Sequence, residues 1–155
     1  MRRLIALLVL VACGSKQPSS LPAEDRKRAL TAAQQCTETV DSLAPTYQMV
    51  GPKLTAALKL DRTEATRLMR NSIELLISTR EMLCSISQAT VQDVLGMAPR
   101  DEEIVAAAGR VKAAVDRLGA ARKAYDELLG AASAAQAPVD QDALVERFSH
   151  ALLGQ

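Results

Sequence analysis

From residue 36 onward, apolar positions recur in alternating steps of four and three: Cys36, Val40, Leu43, Tyr47, Val50, Leu54 and Ala57. That spacing keeps one helix face in line for three heptads and predicts a first helical arm over residues 24–60. Pro45 and the Gly51-Pro52 pair fall inside the stripe, where a proline costs an internal helix about 3 kcal/mol. Two readings follow. The unbroken stripe favours one long arm, kinked at the prolines, that keeps its facing; the other reading is two or three shorter helices with Pro45 and Pro52 as first-turn residues.

A second arm begins at Asp61, which with Glu64 has the spacing of a capping pair. Helix-forming sequence continues to about Leu95. Its apolar positions (Leu68, Met69, Ile73, Leu75, Leu76, Ile77, Met82, Leu83, Ile86, Val91, Val94, Leu95) cover more than half the circumference, as expected of a helix contacting two neighbours. Met97-Ala98-Pro99 breaks it. The third arm opens on Asp101-Glu102-Glu103, acids at the positive end of a helix dipole. It carries Ile104, Ala108, Val111, Val115, Leu118, Tyr125 and Leu129 at heptad-like steps, with Arg122 the one interruption and Gly130 the expected stop. Residues 131–137 suit either helix or linker. Pro138 and Asp140 then start a short helix with Leu144, Val145, Phe148 and Leu152 on one side. No stretch alternates with period two for long enough to argue a strand. The expected fold is all-α: an up-and-down helical bundle of three long helices, one of them kinked, plus a short C-terminal helix.

The start of the chain follows different rules. Arg2 and Arg3 precede an uncharged apolar run over residues 4–12, far shorter than the about 20 residues a permanent membrane span needs. It has the size of a signal-peptide core. The run ends in Leu10-Val11-Ala12-Cys13, followed by Gly14, and resembles the lipobox of bacterial lipoproteins. The resemblance implies a diacylglyceryl group on the Cys13 thiol and cleavage just before it. It also implies a lipid-anchored place in the bacterial cell envelope. Gly14 rather than Asp after the cysteine resembles the enteric sorting pattern for the outer membrane, facing the periplasm. Residues 1–12 are then a signal peptide, and 13–22 a lipidated cysteine with a polar tether. Nine flexible residues reach roughly 15–20 Å. One acyl chain anchors only marginally, while two or more hold stably. Residues 23–155 form a single domain, long enough to bury its own core.

With Cys13 lipidated, Cys36 and Cys84 remain as an even pair in an oxidising compartment. If residues 24–60 and 62–95 form an antiparallel hairpin turning near residue 60, both cysteines lie 24 residues from its tip. They face each other in that register, as do Leu43 with Ile77 and Tyr47 with Ile73, and a Cys36–Cys84 disulfide is expected.

Charge excludes one class of partner. The chain carries +1 at pH 7, and −1 once Arg2 and Arg3 are cut away, so there is no net electrostatic case for nucleic acid. The one basic spot, Arg26-Lys27-Arg28, reads as a solvated face. No Trp, one Phe and two Tyr leave no aromatic platform for bases or sugars.

Catalytic groups are scarce. His150 is the one histidine, so multi-histidine metal sites are excluded and a Ser-His-Asp triad would have to use it; Ser149 beside it points elsewhere on a helix and is a poor nucleophile partner. No Gly-rich phosphate loop, Cys-x-x-Cys or haem-attachment motif occurs. Asp142, Glu146 and His150 share one face at steps of four, a weak divalent-metal patch that also reads as an ordinary solvated face with an i,i+4 pair. The expected protein is a non-enzymatic envelope module that uses no cofactor and binds or scaffolds an envelope protein, with self-association left open. The alternative is a carrier of a small ligand or cofactor (a metal, or haem held by a methionine and His150) in a pocket between the helices.

Overall fold

The computed structural model describes residues 21–133 and 141–153. Residues 1–20, with the expected signal peptide, Cys13 and nearly all of the expected tether, lie outside the described residues, as do Pro138 and Asp140; nothing is described of the Leu144 side chain. Six α-helices follow one another: α1 (Ala23–Asp41), α2 (Leu43–Leu60), α3 (Arg62–Leu68), α4 (Glu74–Met97), α5 (Glu102–Ser133) and α6 (Gln141–Leu153), with a π-helical turn at Met69–Ile73 joining α3 to α4. Among the described residues there is no strand. The chain folds as the expected all-α up-and-down bundle.

The first arm is bent, and the bend is at Ser42. Pro45 has no N–H to return to the Asp41 carbonyl, so α1 ends at Asp41 and Pro45 enters the first turn of α2. Side chains bind the polar groups around the junction. Ser42 Oγ donates to the Thr39 carbonyl at 2.6 Å, and Thr46 Oγ1 donates to the Ser42 carbonyl at 2.7 Å. Arg80 of α4 then reaches across, its Nε donating to the Thr39 carbonyl (3.1 Å) and its Nη2 to Ser42 Oγ (2.8 Å). Pro52, by contrast, stays inside α2. Beside it Gly51 lets the Tyr47 ring lie against the backbone: a Cβ there would stand 3.0 Å from Tyr47 Cζ.

The bend changes which helices pack together. Below it α1, α4 and α5 contact one another pairwise as a three-helix bundle. Above it α2, α3, α5 and α6 pack in a ring, α2 on α3, α3 on α5, α5 on α6 and α6 on α2. α6 therefore sits between α2 and α5. The chain's single Phe and its two Tyr meet there. The Phe148 ring packs edge-on against Tyr47 at 5.4 Å between centroids and lies 6.5 Å from Tyr125. Arg117 of α5 closes the junction, donating to Asp41 Oδ1 at 3.0 Å and to the Leu152 carbonyl at 2.8 Å. Tyr47 thus meets α6, where simple hairpin register had set it against Ile73.

The second arm starts as expected. Asp61 Oδ1 accepts from the backbone N–H of Thr63 and of Glu64. The reciprocal half of the capping box is absent, because the Asp61 N–H donates to the Ala57 carbonyl and Glu64 pairs with Arg67. Ala65, Met69, Ile73 and Ile77 are all buried. Steps of four drift by about 40° each on an α-helix; the π turn, in which the Glu74 N–H donates to the Met69 carbonyl, takes up that drift and keeps the four in line.

Two expectations for the third arm are corrected. The helix runs through Gly130 to Ser133, because Ala132 beyond the glycine is buried. Its buried line is Ile104, Val111, Leu118, Tyr125 and Ala132 together with Ala107, Ala114, Ala121 and Leu128. Ala108, Val115 and Leu129 only flank it. Small alanines at the centre let α5 approach its neighbours closely, and the larger residues beside them fill the edges.

Cys36 and Cys84 are bonded, with sulfurs 2.04 Å and Cα atoms 4.8 Å apart, inside the span a disulfide bridges. The bond ties α1 to α4 below the bend in the expected register. It closes a loop of 48 residues, for which chain entropy gives roughly 4 kcal/mol. Reduction should lower the denaturant unfolding free energy by up to that amount with helix content unchanged before the transition. An unmoved midpoint would show that the bond contributes nothing.

Candidate interaction surfaces

Asp142, Glu146 and His150 lie on the outward side of α6, all exposed. They do not converge. Asp142 pairs with Lys59 of α2 at 3.4 Å, and His150 Nε2 is 3.7 Å from Glu146 Oε1, an ordinary i,i+4 pair. Eight residues of helix separate Asp142 from His150, about 12 Å. Among the described residues no three His, Cys, Asp or Glu side chains come together as a metal site. Of the methionines, Met69 is buried in the core, whereas Met49, Met82 and Met97 are exposed. Ser149 points to Tyr47, its Oγ 3.2 Å from the phenol oxygen, and donates to the Val145 carbonyl.

That Tyr47–Ser149 contact floors an open groove of about 570 Å³ between α2 and α6. Gly51, Pro52, Thr55 and Leu153 line it, with Lys59 at one end. The volume lies within the range of small-molecule sites. Its lining is mostly apolar and offers hydroxyls and one cation, with no nucleophile–base pair.

The densest group of charges is one that sequence reasoning recorded only as an interruption. Arg122 of α5 donates to Glu81 through Nε (3.1 Å) and Nη2 (2.7 Å), and to Glu74 through Nη1 (2.8 Å). Its guanidinium carbon lies 5.5 Å from the Tyr125 ring centroid. The signal was present: Glu74 and Glu81 are seven residues apart on one face of α4, and Arg122 sits beside the apolar line of α5. The Arg122 hydrogen bond holds the Glu74 carboxyl below the usual carboxylate range. Burial, and then the Glu74 carboxylate, push the Tyr125 phenol up. One guanidinium thus bridges two carboxylates and staples α4 to α5.

Arg26-Lys27-Arg28 is likewise less basic than it reads. Arg26 pairs with Asp101 and Glu103, and Arg28 pairs with Asp25.

The outward side of α4 is the reverse case. Leu75, Met82 and Ile86 had been expected to contact neighbouring helices, yet they are 64%, 67% and 65% exposed. The two neighbours of α4, α1 and α5, take the line of Ile77, Cys84, Val91 and Val94. Every exposed residue of α4 from position 75 to position 92 is uncharged, because its charged side chains over that length are turned inward: Arg80 to the bend, Glu81 to Arg122.

Comparison with protein-family models, with curated proteins and with solved structures finds no match. No helix among the described residues is long and apolar enough to cross a membrane.

The Arg122 staple has a testable pH signature. Because the folded Glu74 carboxyl sits below its ordinary value of 4.5, its contribution is fully present above that pH and is lost as pH falls through the lowered value. Replacing Arg122 with Met should cost about 1 kcal/mol at neutral pH, discounted for partial exposure, and should flatten the loss of stability below pH 4.5. Urea midpoints measured across that range check it; equal pH profiles for the two proteins would contradict it.

Proposed function

We propose that the chain is a bacterial envelope lipoprotein: a lipid on Cys13, a tether over residues 14–22, and a non-enzymatic helical module that binds or scaffolds an envelope protein. The observation that carries this reading is the run Leu10-Val11-Ala12-Cys13 at the end of a short apolar segment that begins after Arg2 and Arg3. Two further features support it. Cys36 and Cys84 stand at bonding distance, which suits an oxidising compartment. The side chains with chemical potential are spent on structure, Arg80 and Arg117 on helix ends and Glu74, Glu81 and Arg122 on each other. The anchor would hold the domain at the membrane surface, and Gly14 favours the outer membrane.

A second reading, a periplasmic carrier, draws on the α2–α6 groove, whose size and apolar lining suit a small organic ligand. Co-purified small molecules detected by mass spectrometry in the native protein would favour it.

Cys13→Ser is the direct test of the anchor. The variant should take up no fatty-acid analogue and should leave the membrane fraction or stay uncut, with its helical domain unchanged by circular dichroism. A variant that still incorporates label and sediments with membranes would overturn the lipoprotein reading.

A further inference from the structure

We propose that the pocket between α3, the π turn and the end of α5 binds a phosphate monoester, with the phosphate group held by Arg67 and Arg70. The pocket is open, has a volume of about 630 Å³ and lies at the end of the bundle far from the α4–α5 turn. Its charge is one-sided. Arg62, Arg67 and Arg70 line it and no acid does. The acids closest to it in sequence are engaged elsewhere or on its rim: Asp61 caps α3, Glu64 pairs with Arg67, and Glu74 pairs with Arg122. On α5, Glu127 pairs with Arg147, and Asp126 stands seven residues before Ser133.

The donors are set for an anion. Arg67 donates to Glu64 through Nε and Nη2, each at 2.6 Å. Those two bonds fix its plane, and they use two of the five N–H donors of a guanidinium, so the others remain for a ligand. Arg70 is exposed, and its side chain makes no ion pair or hydrogen bond among the described residues. The same holds for the side chains of Thr66, Asn71 and Ser133, which also line the pocket. Thr66 does not turn its hydroxyl back to the carbonyl four residues earlier, as Thr37, Thr55 and Thr90 do. Two cations three residues apart on a helix repel, and an anion between Arg67 and Arg70 removes that cost.

The directions of the donors select the class of anion. A carboxylate presents two oxygens in one plane, which one guanidinium fork serves, as Glu64 on Arg67 shows. A phosphate monoester carries about −1.5 to −2 charge at pH 7 and three strong acceptor oxygens, so it calls for donors from several sides. Here Arg67 and Arg70 come from successive turns, Asn71 stands beside them, and the Ser133 hydroxyl lies on the α5 side of the pocket. The planar fork of arginine suits phosphate. A pocket of this volume is in the range of small-molecule sites, which leaves room for the organic part of the ester beside Ala132. The site is separate from the α2–α6 groove and does not depend on the lipid anchor.

The test is titration calorimetry of the full chain carrying Cys13→Ser with glycerol 3-phosphate. A second arm measures sedimentation with phosphatidylcholine vesicles with and without phosphatidic acid, because the same phosphate monoester also occurs as a lipid headgroup. Arg70→Gln should weaken binding about 10-fold. Arg110→Gln removes the same charge from an exposed position on α5, 23 residues before Ser133, and should leave binding unchanged. Helix content should be equal in all three proteins, since both arginines are exposed. Acetate should not displace the ester. Binding of glycerol 3-phosphate supports the proposal with a soluble ester as ligand; binding only of vesicles with phosphatidic acid, lost in Arg70→Gln, supports it with the headgroup as ligand. Binding in neither arm, equal losses in Arg70→Gln and Arg110→Gln, or acetate competing as well as inorganic phosphate would overturn it. Because Cys13 is absent from every protein compared, failure of the lipid reading would leave these results untouched.

Discussion

A missing hydrogen-bond donor shapes this molecule. Pro45 cannot bond the Asp41 carbonyl, so the first arm breaks at Ser42. The broken end would leave polar groups unpaired beside the core, which costs about 1–3 kcal/mol for each. Arg80 answers with a fork of donors to Thr39 and Ser42, and Arg117 holds the neighbouring ends of α1 and α6. Once the arm turns there, α2 no longer follows α1, and α6 packs between α2 and α5. Phe148 fills that site against Tyr47 and Tyr125. Three helices on one side of the bend become four on the other.

Much of this was legible in the residues. Apolar periodicity located every long helix, and the hairpin register brought Cys36 opposite Cys84 because disulfide partners and facing core positions obey the same geometry. Asp61 announced its cap. What stayed hidden depended on partners distant in sequence. Arg80 and Arg117 look like ordinary surface arginines until the helix ends they serve are known. Alanines at 107, 114 and 121 carry little hydrophobic signal, yet they are the α5 core because close approach needs small residues. The π turn cannot be read from propensity; it follows from the need to keep Ala65, Met69, Ile73 and Ile77 facing inward. For the surface, the excess of apolar residues on α4 was visible, but its meaning was inverted. The excess does not go to neighbours within the chain; Leu75, Met82 and Ile86 point outward.

The distribution of charge is what connects fold to function. Arg122 bridges Glu74 and Glu81 between α5 and α4, Arg26 pairs with Asp101 and Glu103, and His150 lies beside Glu146 at the surface. Ion pairs between helices fix helix positions. The bundle carries one largely apolar outward face on α4 and one small groove between α2 and α6. A lipid at Cys13 would confine the bundle to a surface, where weak contacts are strengthened by concentration rather than by added area.

The central structural claim is that the two sides of the Ser42 bend are separately held, the lower by the Cys36–Cys84 bond and the upper by Phe148. Amide hydrogen exchange on the intact, oxidised protein, compared between the native sequence and Phe148→Ala, tests it most directly. Emptying that buried aromatic site costs about 3–5 kcal/mol. Protection should fall sharply in α2 and α6, while amides around Cys36 in α1 and Cys84 in α4 keep nearly their full protection. An equal loss in all helices, or undiminished protection in α2, would contradict the account.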